Sequence, residues 1–260
     1  MGKIVAIINQ KGGVGKTTTA VNLACSIGEM GNKVLLVDFD SQANATSGYG
    51  FSRQEIRSSV YDVLMGNADI RDVILTTKVE NVSLLPAAKA LAGAEIEMVD
   101  MDHRESLLKK ALGEVRHLYD YIFIDCPPSI GLLTLNALTA ASSALVPIQC
   151  EFYALEGLSQ LIGIIKKVKQ TYNPALHLEG VLLTMYDGRL NLTLQVKEEV
   201  KRFFGDKVYK NVIARNVRLS EAPSHGVPVQ LYDRYSKGAL AYRELAAEFI
   251  RAQQQKESDL

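Results

Sequence analysis

Short continuous apolar runs alternate along the chain with longer stretches whose apolar positions recur every three to four residues. The runs at residues 3–9, 34–38, 82–86, 121–125, 143–147 and 178–184 predict strands buried on both faces. The periodic stretches at 16 to about 30, 104–118, 155–171, 191–204 and 237–252 predict helices. In the stretch 191–204 the repeat places Leu192, Val196, Val200 and Phe203 on one face and leaves Lys197, Lys201 and Arg202 to point elsewhere. Strand and helix in alternation predict an α/β fold, a mostly parallel twisted sheet with helices on both faces. Residues 1–252 read as a single domain, and 253–260 as a polar tail that frays.

Composition supports one large core: 260 residues, 47% hydrophobic and 22% charged. No apolar stretch approaches the roughly 18 to 20 residues of a membrane span, and the first residues lead straight into an apolar run instead of a signal peptide. The expectation is a cytoplasmic protein without a membrane partner. Ala6 stands where an N-myristoylation pattern needs Ser or Thr, so Gly2 reads as an ordinary residue. Cys25, Cys126 and Cys150 are too few and too scattered for a disulfide framework or a metal knuckle. Formal net charge is zero, yet residues 187–237 carry ten Lys/Arg against six Asp/Glu, a local balance of +4. A basic region on a neutral chain can meet a phosphate backbone without making the whole surface adhesive.

The strongest chemistry lies between the first strand and the first helix, in Gln10-Lys11-Gly12-Gly13-Val14-Gly15-Lys16-Thr17-Thr18. Glycines there let successive backbone N–H groups turn inward around phosphate oxygens, and the helix N-terminus adds partial positive charge. Lys16 is placed to reach the β- and γ-phosphates and the Thr17 hydroxyl to complete a Mg²⁺ shell, the pattern of a P-loop NTPase. Asp38 and Asp40 close one apolar run and Asp125 another, at strand ends where open α/β sheets bind ligands. Asp125 reads as the carboxylate that holds Mg²⁺ through a water, although any one of these aspartates alone could simply cap a helix. His103, His117, His177 and His225 lie far apart, and no triad or metal-ligand pattern competes.

Gln10 stands where a standard P-loop has its first Gly, and Lys11 follows it. Lys-Gly-Gly-x-Gly-Lys-Thr is similar to the deviant Walker A signature shared by ParA, MinD and the nitrogenase iron protein. Nearly the whole chain resembles the ParA/Soj family of DNA-partitioning ATPases, through this loop, Asp38 to Thr46, Asp125 to Ser129, Glu151 to Gly157 and Arg215 to Ser224. Ser41, Ala43 and Ala214 depart from the family's usual residues.

The resemblance implies an ATPase that uses ATP and Mg²⁺. Lys11 would reach across a homodimer to the partner's nucleotide, Asp40 would position the attacking water, and Asp38 would support the Mg²⁺ shell. Gly12, Gly13, Val14, Gly15 and Thr18 would line the phosphates, and adenine would be met by Met185, Arg215 and Asn216. The resemblance further implies an ATP-bound dimer that binds double-stranded DNA without sequence preference and is released when ParB stimulates hydrolysis. Arg189 and Arg218 carry over as DNA contacts, with Lys197, Lys201 and Arg202 as weaker candidates. A nucleoid-associated role in chromosome or plasmid partition follows, with a replication initiator as a further partner. A MinD-like membrane-associated division ATPase is the alternative, for which the polar end Gln-Gln-Gln-Lys-Glu-Ser-Asp-Leu offers no amphipathic anchor.

Overall fold

The computed structural model describes residues 2–151 and 154–258, with side chains through Lys256 in the last helix. Its strands are β1 (Lys3–Ile7), β2 (Val34–Asp38), β3 (Leu75–Thr76), β4 (Val82–Leu85), β5 (Tyr121–Asp125), β6 (Ser143–Gln149), β7 (His177–Tyr186) and β8 (Ile213–Ala214). They form one sheet in the order β3-β4-β2-β5-β1-β6-β7-β8, parallel throughout except for the antiparallel edge pair β3 and β4. The connections hold α1 (Lys16–Glu29), α2 (Asn44–Gly48), α3 (Val60–Leu64), α4 (Ile70–Val73), α5 (Leu91–Glu97) and α6 (Leu107–Val115). Beyond them lie α7 (Leu132–Ala140), α8 (Ala154–Thr171), α9 (Asn191–Phe204), α10 (Val217–Glu221), α11 (Val229–Tyr232) and α12 (Lys237–Ser258).

Strand alternation divides the core into two layers. Ile4 and Ala6 of β1 join Leu35, Val37, Ile122 and Ile124 against α6, α7 and α8. Val5 and Ile7 join Leu36 and Phe123 against α1 and α12. This double burial is why the strands read as unbroken apolar runs. Each fully buried aliphatic side chain stabilises the fold by about 1.5–3 kcal/mol. Phe249 of α12 meets the Tyr121 ring edge-on at 5.3 Å and lies 5.6 Å from Phe123, which locks the last helix onto the centre of the sheet.

The structure matches the expected strands at 34–38 and 121–125 and the helix at 191–204 residue for residue. In α9, however, Leu192 and Phe203 are 41% and 66% exposed, and the buried seam is Thr193, Val196 and Val200. A 3.6-residue repeat centred on those three leaves Leu192 and Phe203 on one flank. The edge strands β3 and β8, two residues each, are too short for any periodicity to announce.

Helix α12 also runs further than expected, to Ser258. The reason is Glu179, a carboxylate of β7 with only 1% of its side chain exposed. Gln253 donates to it at 2.8 Å, Lys256 at 2.9 Å, and Lys3 of β1 lies 2.5 Å away. Burial alone would raise the Glu179 carboxyl, but a hydrogen bond from His177 and the charge and hydrogen bond of Lys3 outweigh it and hold the group far below the usual carboxylate range. Burial also draws the Lys3 ammonium below its usual value against the pull of Glu179, so the pair is costly to bury and costlier to break. Glu179→Ala is expected to destabilise the protein by about 3–5 kcal/mol, read by chemical denaturation. Because the folded value is depressed, the Glu179 contribution is fully present above the ordinary value of 4.5 and disappears as acid protonates the carboxyl. An Ala variant with wild-type stability at neutral pH would count against it.

Candidate nucleotide site

The C-terminal ends of β1, β5 and β2 lie side by side, with Ile7 opposite Asp125 and Asp125 opposite Asp38. The loop from β1 to α1 crosses this edge, and its shape depends on two glycines in left-handed backbone, Gly13 at φ 73° and Gly15 at φ 87°. A methyl group at Gly12 or Gly13 would meet no neighbouring atom within 4 Å, so open space adjoins this stretch of the loop. Thr184 of β7 braces the loop from below, its hydroxyl lying 2.8 Å from the Val14 carbonyl and 3.0 Å from that of Ile148.

The two lysines of the loop point in different directions. Lys16 is buried, 7% exposed, and its ammonium donates to the Lys11 carbonyl at 3.1 Å. Burial lowers its pKa, opposed chiefly by the nearby Asp125. The Lys11 side chain points out of the loop, 52% exposed, and is ion-paired with Glu151, which follows β6. Of the expected Glu151 to Gly157 segment, residues 152 and 153 lie outside the described residues.

The three aspartates have different occupations. Asp38 Oδ2 accepts from both the Thr46 amide and the Thr46 hydroxyl at 2.7 Å, and Oδ1 accepts from the Asp40 amide at 3.3 Å. Burial pushes the Asp38 carboxyl up to about 6 even against those donors. Asp40, 8% exposed, accepts from the Gln42 amide at 2.9 Å. Neither oxygen of the fully buried Asp125 has a hydrogen bond of good geometry, although the Thr17 hydroxyl is near enough to favour its anion. Burial and the charge of Asp38 push the Asp125 carboxyl well above the usual range. A buried carboxylate with free lone pairs beside a hydroxyl and a lysine fits a hard divalent cation, so the residues present suit Mg²⁺. Among the described residues there is no cluster of three or more His, Cys, Asp or Glu that would hold a metal unaided. A cation here needs phosphate or water oxygens to complete its shell.

Beside the loop opens a cavity of about 380 Å³ whose lining includes Gly15, Thr18, Met185, Arg215, Asn216 and Tyr242. The expected adenine contacts thus meet the expected phosphate loop, although 170 residues separate Gly15 from Met185. Met185 holds φ 49°, a costly backbone for a bulky residue of the kind that collects at ligand sites. Ala43 likewise takes φ 51°, where Gly is the easier residue, at the turn that returns Thr46 to Asp38. Sequence reasoning missed Thr184 and Tyr242. No motif marks either, and only the fold brings them to the loop.

None of the candidate DNA contacts is among the residues lining this cavity, and the arginines among them are paired with acids. Arg189, with 89% of its side chain exposed, is held by Asp187 through two bonds of 2.9 and 2.7 Å. Arg218 of α10 pairs with Glu221 at 2.7 Å and Asp233 at 3.3 Å. On α9, the Lys197 ammonium lies 5.0 Å over the Tyr186 ring, Arg202 pairs with Glu199, and Lys201 is exposed. The three candidate arginines are thus each paired with an acid, whereas no acidic partner meets Lys197 or Lys201 among the described residues.

The AAA domain family matches residues 2–178. The sporulation initiation inhibitor protein Soj of Bacillus subtilis is 59% identical over 248 residues, spanning 95% of this chain and 98% of that protein. The chain belongs to the Soj/ParA family of chromosome-partitioning ATPases. Among solved structures, a cobyrinic acid a,c-diamide synthase from Mycobacterium smegmatis, with bound ATP analogue and magnesium, superposes at TM-score 0.87. It is 39% identical, with 96% of this chain and 95% of that chain covered. The cell division ATPase MinD of Pyrococcus furiosus superposes at TM-score 0.81 and 29% identity, covering 97% and 100%. This Soj/ParA chain has no helix, among the described residues, long and apolar enough to cross a membrane.

Proposed function

We propose that this Soj/ParA ATPase is a nucleotide-controlled switch. In the ATP-bound state two copies join face to face and hold double-stranded DNA without reading its sequence. A ParB-type partner then stimulates hydrolysis and releases the complex. The observation that carries the reading is the division between the two loop lysines, Lys16 buried at its own phosphate loop and Lys11 displayed outward. A second copy is the simplest destination for an outward cation in a loop built for phosphate. The setting is the cytoplasm and the nucleoid surface, the cargo a chromosome or plasmid, and a replication initiator is a further partner of the same switch.

The chemistry is in-line attack of water on the γ-phosphate, giving ADP and phosphate. Amides of Gly12, Gly13, Val14 and Gly15 cradle the phosphates, Lys16 neutralises their charge, and Thr18 supports the loop. Asp40 orients the attacking water at the sheet edge. Thr17 and Asp125 are the residues to hold magnesium, with Asp38 beside them, and that ion when bound supplies neutralisation of the β- and γ-phosphate oxygens. Asp38 acts chiefly by fixing the 40–46 loop through Thr46.

Nonspecific DNA binding requires cations that touch phosphates, and dimerisation doubles their number, which turns weak contacts into nucleotide-dependent avidity. Arg189→Glu or Arg218→Glu is expected to keep ATP binding and lower DNA affinity by about 10²-fold, since each change removes two contacts per dimer. Retained, salt-sensitive DNA binding in both variants sinks the assignment. ATP turnover measured with neither, either or both of DNA and the cognate ParB tests the switch itself. Joint stimulation supports it, and indifference to both rejects it.

A further inference from the structure

Arg218 does not stand alone. It lines an open cleft of about 770 Å³ with Asp233, Arg234, Tyr235, Arg243 and Glu29. The arginines of this cleft differ in their partners. Arg243 is spent on Glu29 through bonds of 2.8 and 3.0 Å. Arg218 is shared between Glu221 and Asp233. Arg234 has no acidic partner among the described residues, and its guanidinium rests over the ring of Tyr235 at 5.2 Å from the centroid. Tyr235 is 76% exposed, an unusual position for an aromatic residue with no core to fill.

The segment that presents Arg234 is held firmly. Arg243 donates to the Arg234 carbonyl at 2.6 Å, and the amides of Tyr235 and Ser236 return to Asp233 at 3.3 and 3.1 Å. The guanidinium is thus positioned on a fixed turn and a flat ring, with its N–H groups unspent. For a phosphate entering this cleft the electrostatic accounting is simple. Contact with Arg218 must displace carboxylates, whereas contact with Arg234 displaces only water.

We propose that Arg234, seated on Tyr235, is a phosphate contact for double-stranded DNA in the Arg218 cleft, and that Asp233 competes with DNA for Arg218. This rests on the DNA-binding reading above and names the part of the surface that makes it work. The Arg234 contact forms first and holds the backbone where Arg218 can exchange Asp233 for a phosphate oxygen. Asp233 thereby keeps the affinity of a single protomer low, so that retention on DNA requires two protomers.

The test uses the full chain with ATP and a short duplex, with affinity measured across a series of NaCl concentrations and thermal midpoints recorded as a check on folding. Arg234→Ala is expected to lower affinity about tenfold and to reduce the salt slope by about 1.8, two phosphate contacts per dimer at roughly 0.9 each. Arg234→Lys keeps the charge and is expected to keep most of the slope, which a merely structural role would not reproduce. Asp233→Asn retains the acceptor for the Tyr235 amide while removing the charge, and is expected to raise affinity about threefold or more. An unchanged slope in Arg234→Ala, with DNA binding lost in Arg218→Glu, overturns this inference and leaves the broader reading intact. Unchanged binding in Arg234→Ala, Arg189→Glu and Arg218→Glu together overturns both. Unchanged or weaker binding in Asp233→Asn overturns the competition.

Discussion

Lys11→Ala is expected to lower ATP hydrolysis by about 10³-fold or more while leaving each protomer able to hold ATP. The expectation follows from where the two lysines point. Lys16 is buried within the loop, where the proposed reading has it supply the charge that binds phosphate in its own protomer. Lys11 is ion-paired on the outside with Glu151 of its own chain and contributes its carbonyl, not its ammonium, to the inner side. Removing that ammonium subtracts little from nucleotide binding by one chain. A cation inserted at the γ-phosphate from a second copy stabilises charge that spreads over the oxygens only in the transition state, and its loss falls on turnover. Binding of a fluorescent ATP analogue, sedimentation with ATP and single-turnover hydrolysis together check this. The expected pattern is nucleotide affinity within a few-fold of wild type, no ATP-dependent dimer and almost no hydrolysis. Wild-type turnover would remove Lys11 from the reaction.

Asp40→Ala is expected to lower hydrolysis by about 10² to 10⁴-fold and to lengthen the life of the ATP-bound, DNA-bound state. The side chain stands at the sheet edge on a loop whose far end is anchored without it, because Thr46 is fastened to Asp38 by two bonds of 2.7 Å. Truncation therefore removes the carboxylate and its bond from the Gln42 amide while the Thr46 anchor remains, and the larger expected loss is the orientation of water. Asp40→Asn keeps the shape and the acceptor for the Gln42 amide but lacks the charge. It is expected to fall nearly as far. Phosphate release and dissociation from DNA are the paired readouts, and either variant hydrolysing ATP within fivefold of wild type would assign the water to another group.

The sheet and the geometry of its candidate nucleotide edge were legible in the sequence because both depend on local signals. A doubly buried parallel strand must be apolar throughout, as at Val34–Asp38 and Tyr121–Asp125, and a phosphate loop must place glycines where the backbone turns left-handed, as at Gly13 and Gly15. Short edge strands, the rotation of α9 and the continuation of α12 were not legible, since each is decided by contacts distant in sequence. Leu192 and Phe203 obey the helical repeat and still remain exposed, because the packed face was chosen by the neighbours of Val196 and Val200. Gln253 looks like a tail residue until the buried Glu179, 74 positions earlier, is placed beneath it. Within the site, Asp38 and Asp125 are indistinguishable as strand-end carboxylates. Only the structure shows one satisfied by Thr46 and the other with its lone pairs free.

Helix α12 grips the molecule at three levels. Tyr242 meets the Thr19 hydroxyl of α1 at 3.2 Å, Arg243 holds Glu29 at the end of the same helix, and Gln253 with Lys256 reaches Glu179 beside Lys3 of β1. The loop that cradles phosphate is strung between β1 and α1, so both of its anchors are fastened to this last helix. Helix α12 and the phosphate loop therefore belong to one cooperative unit that opens as a whole, and peeling away the end of the chain dismantles the support of the nucleotide site near its beginning.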